Sequence, residues 1–268
     1  MGGYSYNAAY KAEVAKFGKR DGVVAVCFFL FYCVAGYALG LLWRVWMSPY
    51  SGAIFGLIMG IACFVVIGIK KDGLGSIGFH KENLWPALRI GLLFGFVPLA
   101  LNNGLLPGFI LGWEMQTSAL ILLLILLRTF ILAAHEDMIF VGYIQTRLYG
   151  LIKRDLLAVL VGAILFSLMH IMPQLGLHGF AAFHVGNGLW LLVLIPQHIV
   201  FNALFRRYYS IYPTMILHTL VNGVGQMWRV REPEAWWSGG FIYLFAIVLA
   251  VGIWALYLRR KDQKIATE

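Results

Sequence analysis

The chain has 268 residues, of which 61% are hydrophobic and only 12% charged. Soluble domains carry roughly twice that charged share, so the composition excludes a water-soluble globule and points to a polytopic membrane protein. The formal net charge of +9 is no nucleic-acid footprint, because the Lys and Arg residues lie in short clusters between apolar runs, as membrane anchors do.

The N-terminal stretch 1–22, MGGYSYNAAYKAEVAKFGKRDG, is polar. It lacks the apolar core and small-residue cleavage site of a signal peptide, and is read as a cytoplasmic segment. Beyond it, crossing a hydrocarbon core of about 30 Å takes roughly 20 apolar residues. That rule selects spans at about 23–43, 52–69, 87–106, 118–144, 156–172, 188–205, 213–228 and 240–258. Cys27, Cys33 and Cys63 all fall inside apolar runs with no C-x-x-C spacing, so neither a disulfide framework nor a zinc knuckle is indicated. Between the second and third spans, KKDGLGSIGFHKENLWPALR (70–89) reads as an interfacial segment, broken by Gly73, Gly75 and Gly78 and anchored by Trp85.

With the N-terminus inside, seventeen Lys and Arg side chains fall on inner segments and three on outer ones, while Arg128 alone lies within a span. This asymmetry predicts an even number of spans with both termini cytoplasmic. The expected fold is therefore an all-α polytopic transmembrane bundle of about eight spans. It comprises a cytoplasmic segment (1–22), a transmembrane domain (23–260) and a cytoplasmic tail (261–268). The strong inner bias and the absence of a signal peptide fit a bacterial inner membrane.

Polar groups inside such spans are costly and mark function. His135, Glu136 and Asp137 interrupt the fourth span, with Arg128 two turns earlier; His170 ends FSLMH; HIVFN carries His198 and Asn202; and HTLVN carries His218 and Asn222. In both H-x-x-x-N stretches the spacing places the two side chains on one helical face. Glu136 stands eleven residues before Arg147, about 16 Å along a helix. That depth argues against a simple helix end. Singly, each of these residues has a structural explanation: an interhelical hydrogen bond for a histidine, packing for an asparagine, an ion pair with Arg128 for Glu136. Their coincidence on separate spans is what suggests a site.

A carboxylate and an imidazole sharing one water can deprotonate it for attack on a carbonyl, while a second imidazole and an amide donate to the oxyanion. The same residues also permit a metal, with Glu136, His170 and His218 as ligands and a fourth position open for water; zinc is the natural candidate. The residues alone leave both mechanisms open.

The order of an acidic pair, F-x-x-x-H and H-x-x-x-N on successive spans resembles the CPBP (Abi) family of intramembrane proteases, which includes the CAAX prenyl endopeptidases. Its first motif, E-E-x-x-x-R within EExxFRG, is met here by EDMIFVG, with Glu136, Asp137, Phe140 and Gly142 matching. Phe166 and His170 meet the second motif, and His218 and Asn222, after IYPTMIL, the third. The resemblance covers about 118–228. It implies an endopeptidase in which Glu136, beside Asp137, and His170 activate water, while His218 and Asn222 steady the oxyanion. A metal-free route suits it best, because an amide fits a donor role better than a ligand role. The implied partners are membrane lipids and a membrane-associated or lipidated peptide substrate, with no nucleic acid.

One departure stands out. Val141 occupies the motif arginine position, and Asp137 loses the cation that would stand at i+4. Arg128 and Arg147 are the available replacements. The departure also motivates an alternative, a catalytically impaired relative that binds or escorts a membrane partner in a complex. A third reading is a transporter lined by midplane polar groups. No pair of Gly/Pro-interrupted spans in corresponding halves supports it.

Overall fold

A computed structural model describes residues 8–43, 50–81, 84–98, 113–115, 118–183, 185–224 and 228–230. The predicted span 240–258 and the tail 261–268 lie outside them. The described helices are α1 (Ala8–Lys16), α2 (Lys19–Trp43), α3 (Ser51–Ile69), α4 (Leu84–Pro98), α5 (Ala119–Glu136), α6 (Gln145–Leu148), α7 (Asp155–His178), α8 (Val185–Tyr208) and α9 (Tyr212–Val224). A π-helical segment, Asp137–Ile144, joins α5 to α6 without a break. Apart from Ser118 and Trp228, the described parts of the predicted spans before 240 thus fall on helices. Three stretches, Lys19–Trp43, Ser51–Ile69 and Asp155–Ala182, are individually long and apolar enough to cross a membrane.

The helices are apolar on both sides. In α2, Phe28, Phe29, Tyr32, Cys33, Gly36 and Gly40 recur at helical spacing and are buried, while Leu30, Phe31 and Val34 point outward and are exposed. Apolar residues all around a helix, half of them facing out, are what lipid rather than water selects. With no hydrophobic gain between helices in lipid, close backbone approach matters more. The crossing of α2 and α7 depends on it: a Cβ on Gly40 would fall 2.0 Å from the Pro173 carbonyl oxygen, and one on Gly176 would fall 2.1 Å from that of Tyr37.

The basic segments gather at one end of the bundle and are tied there by pairs between elements. Lys70 meets Asp21 at 2.6 Å, Arg206 meets Asp155 at 2.7 Å and Arg147 meets Asp72 at 2.7 Å. Helix α1 closes the same end, with Tyr10 packed edge-on against Tyr149, Phe205 and Tyr209. Burial pushes the Tyr149 phenol up to about 12, so it stays neutral and donates to Asp155 Oδ1 at 2.5 Å.

Arg147 departs from the expectation of a headgroup-level charge. It is fully buried and donates to Asp72, to the side chain and carbonyl of Ser76, and to Thr146. Its guanidinium also lies over the rings of Phe17 and Tyr143, 4.2 and 4.5 Å from their centroids. Planar charge with five donors is what such a crowded acceptor set requires. Removing one partner of a buried pair strands the other, so Arg147→Leu is expected to cost about 3–5 kcal/mol. A lowered thermal unfolding midpoint in detergent checks this; an unchanged midpoint would show the pair to be dispensable.

The segment expected at the interface packs partly into that end. Leu74–Ile77 forms a 3-10 turn with Ile77 fully buried. Gly78, at φ 90°, then lets its carbonyl accept the Ile211 N–H at 3.0 Å. A side chain there would be strained by the backbone and would strike Phe205. Trp85 does face outward, 70% exposed. The all-α expectation has one small exception: Trp113–Met115 pairs antiparallel with Trp228–Val230, Trp113 opposite Val230. This short ladder links the approach to α5 with the exit from α9, away from the basic end.

Candidate active site

The site grows from the point where α5 gives way to the π segment. Consecutive helical residues point about 100° apart, so His135 diverges from Glu136 and Asp137. His135 turns toward α2 and α3. Its Nδ1–H donates to the Ile131 carbonyl at 3.3 Å and its Nε2 accepts from the Tyr32 hydroxyl at 2.9 Å. Gly56 makes room for the ring, since a Cβ there would lie 2.6 Å from His135 Nδ1. His135 is thus a packing tie, stacked on Tyr32 and met edge-on by Phe55.

Glu136 turns toward α7 and α9. Its Oε2 lies 3.7 Å from His170 Nε2 and 3.7 Å from His218 Nε2. Asp137, fully buried, places Oδ1 3.0 Å from His218 Nδ1. The tautomers follow from the partners. The Phe166 carbonyl can only accept, so His170 donates through Nδ1 at 2.8 Å and its Nε2 lone pair faces Glu136. His218 likewise donates through Nδ1 to the Asp137 carboxylate, which orients the ring. Distances of 3.7 Å exceed a direct hydrogen bond but suit one small molecule held between the groups.

Four residues singled out in the sequence therefore converge: Glu136, Asp137, His170 and His218. Glu136 and His170 keep side-chain exposures of 16% and 15%, and His218 only 2%. Asn222 stands one turn beyond His218 and is exposed. Neither Arg128 nor Arg147 is the partner of Asp137 among the described residues. Arg147 is held by Asp72, Arg128 forms no ion pair with Glu136 or Asp137 among the described residues, and His218 takes the place beside Asp137. Val141 is fully buried in the apolar core. For a metal, no group of three His, Cys, Asp or Glu side chains among the described residues reaches ion-holding geometry.

The π geometry and the place of Gln145 were not legible in the sequence. The π geometry spans Asp137–Ile144; such segments often lie at functional sites. Gln145 belongs to a buried cluster with His198 and Asn202 beside Phe166. The H-x-x-x-N of HIVFN was its visible signal, but the position of Gln145 depends on the π segment.

Residues 117–224 match the family model described as type II CAAX prenyl endopeptidase Rce1-like. No curated protein matches the chain. The matched stretch contains the π segment and the elements that carry Glu136, Asp137, His170 and His218. Over these helices the chain is therefore similar to the type II CAAX prenyl endopeptidase Rce1-like family.

Proposed function

We propose that the chain is an intramembrane endopeptidase that hydrolyses a peptide bond in a membrane-associated or lipidated substrate. The observation that carries this reading is the placement of Glu136 Oε2 at 3.7 Å from both His170 Nε2 and His218 Nε2. Glu136 as a carboxylate and His170 through its Nε2 lone pair are both acceptors. A water between them donates one proton to each and turns its own lone pair outward, toward a substrate carbonyl. Glu136 takes the proton as the oxygen adds to the carbonyl carbon, and that proton then passes to the leaving amine.

His218 and Asn222 are the donors assigned to the developing oxyanion. For His218 this requires a proton on Nε2 as well as Nδ1, and the carboxylates of Asp137 and Glu136 flank the ring to balance that charge. The chain would work in a bacterial plasma membrane with both termini cytoplasmic. Its basic end would then meet anionic headgroups.

The second reading, a non-catalytic relative that escorts a membrane partner, rests on Val141. The Asp137–His218 contact weakens that motive, because Asp137 has a partner without the arginine. The deciding assay offers prenylated and unprenylated fluorogenic peptides to the purified chain in lipid nanodiscs. Cleavage at a single bond, unaffected by a strong zinc chelator, is the expected result. Loss on chelation with recovery on zinc would move Glu136, His170 and His218 to a metal. No cleavage of any peptide, with stoichiometric capture of one protein that survives Glu136→Ala, would establish the escort.

A further inference from the structure

Gln145, His198 and Asn202 are fully buried, and the proposed reaction does not use them. Asn202 places Nδ2 3.0 Å from Gln145 Oε1 and 3.1 Å from His198 Nε2, one turn earlier on α8. An amide nitrogen only donates, so His198 accepts through Nε2 and carries its proton on Nδ1. Gly162 on α7 admits Gln145, because a Cβ there would fall 1.9 Å from Gln145 Oε1. The cluster thus sets α6, α7 and α8 at one level.

What the cluster holds is a ring face. His198 lies nearly flat on Phe166, with centroids 4.7 Å apart and planes 23° apart. Phe166 meets His170 edge-on at 4.8 Å and His218 at 6.3 Å, and Phe140 of the π segment closes in at 5.6 Å. Phe166 therefore touches both histidines that face Glu136. Its own freedom to tilt is removed from the far side by His198.

We propose that His198, braced by Asn202 and Gln145, is a positioning residue that fixes the Phe166 ring and thereby the angle at which His170 and His218 face Glu136. Only the catalytic consequence rests on the peptidase reading. Nitrogen-15 histidine NMR in detergent reads the rings of His170 and His218 without substrate. His198→Leu removes both the flat face and the acceptor, whereas His198→Phe keeps the face alone. Leucine is expected to shift the ring signals of both histidines, and phenylalanine to return them toward wild type.

With a cleavable peptide, His198→Leu should lower kcat about tenfold with KM within about twofold, since misplacement by a fraction of an ångström acts on turnover. His198→Phe should recover most of that loss. Unmoved His170 and His218 signals in folded His198→Leu protein overturn the proposal, whether or not the chain cleaves anything. Should His198→Leu fail to fold, Asn202→Ala frees the ring without removing it. Shifted His170 and His218 signals then support the proposal, and unmoved ones overturn it. Wild-type protein that cleaves nothing overturns the peptidase reading alone.

Discussion

Glu136→Gln is expected to lower the single-turnover cleavage rate by about 10³-fold while leaving the protein folded. Glutamine keeps the shape of the side chain but cannot take a proton from water. It also puts an amide where a second acceptor should face His170. A positioned general base contributes roughly 10²–10⁴-fold, so a loss of this size equals about 4 kcal/mol of barrier. Folding should not suffer, because replacing a largely buried carboxylate by an amide of the same shape removes the cost of holding a charge at depth. A variant within threefold of wild type would show that Glu136 is not the base, whatever its place between the two histidines.

Asp137→Asn should be the second most damaging change, at about 10²–10³-fold in kcat with little effect on KM. Asp137 is fully buried and does not reach the water site; its Oδ1 accepts the Nδ1–H of His218 at 3.0 Å. An amide can turn its NH2 to that nitrogen and select the other tautomer, and it cannot balance a charged ring. The hydrogen bond to a charged acceptor is also worth about 1.5–3 kcal/mol of stability, so a lower unfolding midpoint should accompany the kinetic loss. The two effects separate by temperature: well below the midpoint the folded fraction is intact and only kcat remains reduced. Full activity there would mean that His218 keeps its orientation without Asp137.

Much of the arrangement was legible in the sequence. The apolar runs located the helices because a span must be about 20 residues long wherever it is used. Glu136, His170 and His218 stood out because an ionisable group in a span needs a reason. Harder to read was what each polar residue does for its neighbour. His135 stands beside the acids in sequence yet faces Tyr32, since adjacent residues on a helix diverge. Arg147 looked like an anchor at the headgroups because it follows a greasy run. Its acceptors Asp72 and Ser76 come from a loop some seventy positions away, and no local pattern announces them. The missing arginine at Val141 suggested a damaged site for the same reason: a motif records one way of satisfying Asp137, while the fold uses His218.

The π-helical stretch from Asp137 to Ile144 gives this economy a further meaning. Turns closed by i→i+5 hydrogen bonds take more residues than α turns, so the same eight residues sweep a smaller angle than they would as an α-helix. Glu136 and Asp137 on one side and Gln145 and Arg147 on the other are thereby held in a rotational phase that a regular helix would not supply. Were the same eight residues to relax to α geometry, one end would rotate against the other. The acids could then meet α9, or Arg147 could meet Asp72, but the two would no longer be satisfied together. The phase between the acidic pair and the distant arginine, set by the π geometry, is thus part of what lets the site close.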